Sequence, residues 1–253
     1  MKKTGCVLIS VFVVLTSLDA VFAEDEVKLG LSADFLSKYI WRGQNLNDES
    51  VFQPSASVSA YGFTGSVWGS HDLTNENDNA GEFTEVDYTL DYTNTLPGID
   101  GVNWSVGVIH YRFPNTSFEP TTEIYGGLTF IELPLTPAVR VYRDVDEVEG
   151  SYYQFALGHT FEKVVVWTED CSCDLALGAS VGYGDSSYNR GYFGADGGGF
   201  NDLTLWAGLP ICFPDGWTFK PSINYSMMLS DDIRTATVNS DNIWGGVSLS
   251  KTF

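Results

Sequence analysis

The chain has 253 residues, of which 43% are hydrophobic and 18% are charged. Its 33 Asp and Glu residues outnumber its 13 Lys and Arg residues, which gives a formal net charge of −20. This acidity argues against nucleic acid as a partner, because phosphates are bound by clustered Lys and Arg side chains.

Residues 1–23 are typical of a secretory signal peptide. Two lysines precede an apolar run from Val7 to Leu18, and small residues lead to a cleavage point after Ala23. An uncleaved membrane anchor is the alternative, but the run is shorter than the about 20 residues that a spanning helix needs. The sequence therefore predicts Sec-type export and one mature domain, residues 24–253.

The mature chain is predicted to consist of strands. Segments of about ten residues alternate between apolar and polar side chains and are separated by turn-forming residues, which is typical of outer-membrane barrels. The predicted strands are, in chain order, 27–41, 52–60, 63–72, 83–94, 102–113, 121–132, 137–146, 150–161, 173–184, 200–210, 216–229 and 242–253. Their number is even, as a barrel with both termini on one side of the membrane requires.

The fourth predicted strand illustrates the alternation. Its two faces consist of Val86, Tyr88, Leu90 and Tyr92 against Glu85, Asp87, Thr89 and Asp91. Successive side chains of a strand point to opposite sides of the sheet. A barrel turns the apolar face to lipid and the polar face to its lumen. The alternative is a secreted soluble β-protein, whose polar face would meet bulk water.

The aromatic residues and the end of the chain favour the barrel. Tyr, Trp and Phe residues lie near strand ends, as in the girdles at membrane interfaces. The chain closes on Phe253, which resembles the terminal signal read by the outer-membrane barrel assembly machinery. We therefore predict a transmembrane antiparallel up-and-down β-barrel with periplasmic termini in the outer membrane of a Gram-negative-type bacterium. Membrane lipid, that machinery and periplasmic chaperones are its predicted partners.

One stretch, residues 37–73, resembles the Gcw_chp family of conserved hypothetical proteins, also described as TorF-type candidate porins. The shared pattern is an aromatic-Arg-Gly at a strand end, a polar loop, a Pro-bearing strand and a Gly-rich strand with Trp. The matching residues are Trp41, Arg42, Gly43, Pro54, Gly65, Trp68 and Gly69. The resemblance implies an outer-membrane barrel with channel formation as the expected function, and it brings no catalytic residues.

Charged residues on the predicted inner face form the candidate site. They are Lys38, Arg42, Glu85, Asp87, Asp91, Arg140, Asp202 and Lys220. Two interpretations stay open for Arg42, which precedes a glycine that can turn tightly at the barrel rim. It can neutralise acidic neighbours and brace the barrel, or it can form, with Lys38 opposite Glu85, Asp87 and Asp91, a charged constriction that selects solutes.

The sequence does not predict an enzyme, a cofactor or a metal site. A hydrolase needs a nucleophile and an oriented base, yet the three histidines, His71, His110 and His159, have no accompanying serine pattern, and no G-x-S-x-G motif occurs. Paired carboxylates are too common in so acidic a chain to indicate glycosidase chemistry.

Three cysteines remain in the mature chain, an odd number for an oxidising compartment. The connections that hold them are predicted at the same rim of the barrel. We therefore predict a disulfide from Cys212 to either Cys171 or Cys173, with the pair Cys173–Cys212 as the working assignment.

Two functions follow from these observations. The first is a porin for passive diffusion of small polar solutes or ions. The second is a non-conducting surface or structural barrel, with a barrel hydrolase as a remoter alternative.

Overall fold

The computed structural model describes residues 27–237 and 239–253, so the predicted signal peptide, residues 1–23, lies outside it. The strands of the described residues are, in chain order, β1 (Lys28–Leu36), β2 (Tyr39–Trp41), β3 (Gln44–Asn47), β4 (Val51–Ala60), β5 (Phe63–Asp72), β6 (Phe83–Thr95), β7 (Val102–Arg112), β8 (Thr121–Phe130), β9 (Ala138–Asp144), β10 (Ser151–Thr168), β11 (Cys171–Gly184), β12 (Gly199–Gly208), β13 (Ile211–Cys212), β14 (Trp217–Met228) and β15 (Asp241–Thr252).

All of these strands except β2, β3 and β13 form the wall of a closed barrel. Each wall strand pairs antiparallel with the next wall strand along the chain. The first strand also pairs with the last, with Phe35 opposite Val247 on one side and Phe52 opposite Phe35 on the other. The sheet therefore has no open edge across the barrel wall. This closure confirms the prediction of an up-and-down barrel of twelve strands.

The two ends of the barrel differ in their connections. We call the end that carries Val27, Phe253 and the shorter turns the terminus end. The other end, the loop end, carries the longer connections 37–50, 73–82, 113–120, 145–150, 185–198 and 229–240. Short connections at one end of the barrel therefore alternate with long connections at the other.

The two faces of the wall differ as the period-2 pattern predicts. On β6, Leu90 is 53% exposed on the outside, whereas Glu85 is 5% exposed on the inside. The same alternation continues in β1, where Leu29, Leu31 and Phe35 are exposed outside. Because directly paired residues of neighbouring strands share a face, the apolar positions join into a belt around the barrel.

The predicted first strand, 27–41, is wrong at its end. The wall strand β1 stops at Leu36, and the chain then forms the separate hairpin of β2 and β3. Arg42 (φ 47°) and Gly43 (φ 80°) both adopt positive φ at its turn. Two successive positive φ values define the type I′ turn that fits the twist of a two-residue β-hairpin. Gly43 thus turns the chain at a hairpin tip and not at the barrel rim.

The connection predicted at 162–172 is also mostly strand. The strand β10 continues to Thr168 and β11 begins at Cys171. Their pairing resumes after an irregularity, with Val165 opposite Cys173. This hairpin extends beyond the rest of the wall at the terminus end.

Two helices lie in the long connections of the loop end. They are α1 (Ser186–Phe193) and α2 (Asp231–Ala236). The carboxylate of Asp185 caps α1 by accepting a hydrogen bond from the Tyr188 backbone N–H at 2.8 Å. Burial raises the pKa of Asp185, but the backbone N–H groups of Tyr188 and Ser151 outweigh it, and the net pKa is lowered. Among the described residues no helix is long and apolar enough to cross a membrane.

The predicted disulfide between Cys173 and Cys212 is wrong in the structure. Cys212 pairs with Ser172 across the β11–β13 ladder, and Cys173 pairs with Ile211. Cross-strand partners share a face and successive residues alternate, so Cys173 and Cys212 point to opposite sides of the sheet. The alternative pair with Cys171 fails for the same reason, since Cys171 and Cys173 share a face. A disulfide needs Cβ atoms about 3.8 Å apart.

Candidate channel lumen

The loop that follows β1 folds back into the barrel. Tyr39, Ile40 and Asn47 of the hairpin are all buried. Tyr39 packs against Trp68 of the wall with ring centroids 5.6 Å apart, and it belongs to a cluster with Val51. The hairpin therefore occupies the lumen at the loop end.

Arg42, at the tip of the hairpin, is the strongest attachment of the hairpin to the wall. Its two terminal nitrogens donate to both carboxylate oxygens of Glu123 at 2.8 and 2.7 Å. The side chains of this pair are 2% and 1% exposed. The Tyr111 hydroxyl donates to the same carboxylate at 2.8 Å. Arg42 is therefore a buried, bidentate ion-pair partner, which is the strongest form of charged hydrogen bonding.

Aromatic rings surround the same guanidinium. Its central carbon lies 4.5 Å from the ring centroid of Trp41, 4.3 Å from that of Tyr142 and 4.5 Å from that of Tyr152. Cation–π contacts at this range are attractive, and more so where water is excluded. Arg42 was expected to face Glu85, Asp87 and Asp91, but its carboxylate partner is Glu123.

Two further contacts hold the hairpin. The Tyr39 hydroxyl donates to Glu85 at 2.9 Å. At the tip, a Cβ added to Gly43 would lie 2.6 Å from the Cβ of Asp202, so only glycine permits this approach. Asp202 in turn accepts a hydrogen bond from the Tyr152 hydroxyl at 2.7 Å. Glu85 and Asp202 thus support the inserted hairpin from the wall.

Lys38 lies at the base of the hairpin and not in the lumen wall. It forms an ion pair with Asp48, which also accepts a hydrogen bond from Asn45 at 2.7 Å. The hydrogen bond from Lys38 lowers the pKa of the Asp48 carboxyl. Because β1 ends at Leu36, Lys38 does not continue the inner face of that strand. Its placement in a lumen constriction was therefore wrong.

The helix α1 lies in the lumen beside the hairpin. Tyr188 is buried against Tyr192 with ring centroids 4.6 Å apart. The Tyr192 hydroxyl donates to Asp144 of β9 at 3.0 Å. Ile233 of α2 is buried in the same cluster. We call the hairpin 39–47, α1 and α2 together the plug.

Inner-face side chains change character along the barrel axis. Around the plug they are buried, as at Gln53, Ser70 and Asp72. Towards the terminus end they are small, polar and half-exposed; these residues are Ser32, Ser55, Ser57, Thr64, Ser66, Thr89, Thr129, Ser222 and Ser250. We call this lumen between the plug and the terminus end the vestibule.

Large side chains of the inner face lie against glycine positions. A Cβ added to Gly107 would come within 2.5 Å of the Tyr125 ring, and one added to Gly178 would collide with Trp206. The absence of a side chain at these glycines lets each ring lie along the wall. The rings therefore take up less of the lumen than they would if they crossed it.

The remaining predicted lumen charges lie on the inner face of the wall. Asp91 accepts hydrogen bonds from Tyr125 at 2.6 Å and from Thr93 at 2.7 Å. Arg140 faces the lumen from β9, where it pairs with Gly127. Asp34 of β1 and Lys220 of β14 are both paired with Ser248 of β15, the strand between them, so these two charges lie at the same level of the wall. Asp87 lies on the same inner face as Glu85, two residues along β6.

Residues of the family motif gather on both sides of the wall. Three of them, Trp41, Arg42 and Gly43, belong to the hairpin. Trp68 is the wall residue against which the hairpin packs. The other three, Pro54, Gly65 and Gly69, lie on the outward face, because their ladder partners Ala33, Leu90 and Val86 are outward. Phe253 is exposed at the terminus end, where its N–H donates to the Leu29 carbonyl at 2.9 Å.

Sequence reasoning missed the tyrosines that enclose Arg42 and the role of the helices. Tyr111, Tyr142, Tyr152 and Tyr188 come from four separate elements.

Among the described residues, no group of three or more His, Cys, Asp or Glu side chains is arranged to hold a metal ion.

Comparisons with known proteins bear on the family and the fold. The model of the family Gcw_chp, a bacterial protein of unknown function, matches residues 23–193. The barrel is similar to the NanC porin structure, with 13% identity, a TM-score of 0.50 and coverage of 88% of this chain and 98% of that one. The COG4313 outer membrane channel from Pseudomonas putida F1 has 9% identity, a TM-score of 0.44 and coverage of 91% and 97%. No curated protein matches the chain in sequence. At these identities the likeness to NanC concerns the fold alone.

Proposed function

The chain belongs to the Gcw_chp family, and we propose that it is an outer-membrane porin for passive diffusion of small polar solutes or ions, with the plug as its narrowest part. Export by the Sec route with loss of residues 1–23 would deliver the mature domain, residues 24–253, to the periplasm. Chaperones and the barrel assembly machinery would then insert it, with Phe253 as the recognised end.

The outer face supports placement in a membrane. Leu29, Leu31, Phe63, Leu90 and Ile223 are all about half exposed or more on the outside of the wall. A soluble protein rarely exposes a continuous apolar surface of this kind. Lipid would cover it, and each wall strand is paired with a neighbour on both sides, as backbone in the hydrocarbon layer requires.

The vestibule is the observation that carries the channel proposal. Its wall consists of small polar side chains that remain accessible to water. The rings of Tyr125 and Trp206 lie along the wall over Gly107 and Gly178. A barrel whose interior served only as a filled core would be expected to pack large side chains across it. The partly exposed polar side chains of this wall support a water-filled space between the terminus end and the plug.

Planar-bilayer recording tests the proposal. The refolded mature protein should give discrete current steps in potassium chloride, and a variant in which a Gly-Asn turn replaces residues 38–49 should give larger ones. Heat-modifiable migration on a denaturing gel is the folding control for both proteins. Absence of steps from the folded wild-type protein would refute the porin.

A second function, a non-conducting structural barrel, is favoured by the plug itself. The Arg42–Glu123 pair and the tyrosines around it are buried, as expected for a permanently filled mouth. This alternative predicts that the wild-type barrel does not conduct. It also predicts that the loop replacement conducts, because the hairpin then no longer occupies the lumen.

A further inference from the structure

Arg140 is an inward arginine with an unusual environment. It lies on β9, on the inner face, and is half-exposed to the vestibule. No carboxylate oxygen of the described residues lies within 4.0 Å of its guanidinium, whereas Arg42, the other inward arginine, has a bidentate carboxylate partner. A guanidinium keeps its charge at every physiological pH. Arg140 therefore presents a positive charge to the water of the vestibule.

The neighbours of Arg140 position its side chain without an ion-pair contact, although the charge of Asp91 acts on the guanidinium from a longer distance. A Cβ added to Gly127 would lie 2.6 Å from the Arg140 Cγ, so the stem of the side chain lies over a glycine. The guanidinium carbon is 6.0 Å from the Tyr125 ring centroid. Its contacts with Tyr125 and Tyr142 are with phenol groups, which carry no charge. The side chain is thus positioned by the wall.

The acidic residue of the same region is already engaged. Asp91 accepts hydrogen bonds from the hydroxyls of Tyr125 and Thr93. Tyr125 thus stands between the two charges, as a ring beside the arginine and as a donor to the aspartate. This arrangement holds the carboxylate on Tyr125 and leaves the fork of Arg140 available to another anion.

We propose that Arg140 is a binding site for small organic carboxylates inside the vestibule. A planar carboxylate matches the two parallel N–H groups of a guanidinium, and this match gives strength and orientation together. Gln154 lies opposite Arg140 in the β9–β10 ladder and can donate from its side-chain amide. The proposal rests on the vestibule of the proposed channel, through which solutes would reach the site, and it adds a class of solute.

Calorimetric titration of the refolded barrel in detergent with succinate tests the site without any need for current. The neutral diamide of succinate is the matched probe. We expect the wild type to bind succinate and not the diamide. Arg140→Gln should weaken succinate binding roughly 10- to 100-fold, since charge-assisted hydrogen bonds are lost. Arg140→Lys keeps the charge without the fork and should fall between the two.

Arg143→Gln is the control, because it removes the same charge from the same strand. Arg143 lies outside the lumen and is paired with Asp185 at 3.7 Å. It should bind succinate as the wild type does. The heat-modifiable gel shift shows whether each variant is folded. If Arg140→Gln does not fold, Arg140→Lys replaces it as the test of the site.

Bilayer currents then separate the site from the channel. If the barrel conducts, succinate should reduce the chloride current in the wild type and in Arg143→Gln but not in Arg140→Gln. Loss of calorimetric binding in Arg140→Gln without any current in the wild type would keep the site and refute the porin. Equal succinate binding by Arg140→Gln and the wild type, or no binding by either, would overturn the site.

Discussion

Replacing Arg42 with methionine should release the hairpin from the lumen. Removal of one member of a buried ion pair costs about 3–5 kcal/mol, because the remaining charge stays buried without a partner. Here that charge is Glu123, whose side chain is almost fully enclosed. Since about 1.4 kcal/mol is a factor of ten, the ratio of released to inserted hairpin should rise by roughly two to three and a half orders of magnitude.

The aromatic contacts act in the same direction. Each cation–π contact of Arg42 contributes about 0.5–2 kcal/mol, but Trp41, Tyr142 and Tyr152 share one guanidinium. Contributions from a shared partner do not add. The ion-pair figure is therefore the appropriate measure of the change.

Proteinase K digestion of the folded barrel measures this release. Arg42→Met should be cut within residues 37–50 much faster than the wild type, with the rest of the barrel intact. The double variant Arg42→Met with Glu123→Met removes both charges and should be cut at a rate closer to the wild type, because no buried charge remains. Arg234→Met, which alters a half-exposed pair with Asp241, is the control. Equal protection of Arg42→Met and the wild type would refute the assignment of Arg42 as the anchor.

Two further predictions concern the vestibule and the base of the hairpin. Gly178→Val should push the Trp206 ring away from the wall and into the lumen, and it should therefore lower the single-channel conductance. Gly65→Ala is the control, because the nearest atom to the added Cβ is 3.9 Å away, and it should leave the conductance unchanged. Equal conductance of the wild type and both variants would contradict the placement of the Trp206 ring along the wall. Lys38 lowers the pKa of Asp48 below its ordinary 3.8, so this pair stabilises the hairpin fully above that value and is lost as the pH falls through the lowered pKa. The contribution of this pair to protection from proteolysis at 37–50 should therefore be constant between about pH 5 and 8. A change within that interval that Asp48→Asn abolishes would contradict this expectation.

The barrel could be predicted because a strand with one face towards lipid and the other towards the lumen alternates apolar and polar residues in the sequence. Side chains on β6 alternate from Glu85 to Tyr92 as a wall strand requires, and the same period recurs in the other wall strands. The number of strands and their faces follow from this one rule. The β10–β11 extension did not, because Lys163 and its charged neighbours interrupt the alternation there.

The hairpin could not be separated from β1 by the same rule. Tyr39 and Trp41 continue the spacing of Phe35 across the break at Ser37, since a hairpin strand also alternates. The useful signal was the Arg42-Gly43 pair, which is compatible with a rim turn and with a type I′ tip alike. Tertiary contacts decide between them, and those contacts come from Glu123, far away in the chain.

The construction of the plug decides how cleanly the two proposed functions can be separated. The hairpin forms its own two-stranded sheet and adds no strand to the wall. Leu36 and Val51, on either side of the loop, are paired directly in the β1–β4 ladder. The wall is therefore continuous beneath the loop, and a short turn can replace residues 38–49 without a change of register. The contacts that the replacement removes, chiefly those of Arg42 and Tyr39, are side-chain contacts to the lumen. A gain of current in that variant would consequently report the removal of an obstruction and not the loss of a barrel strand.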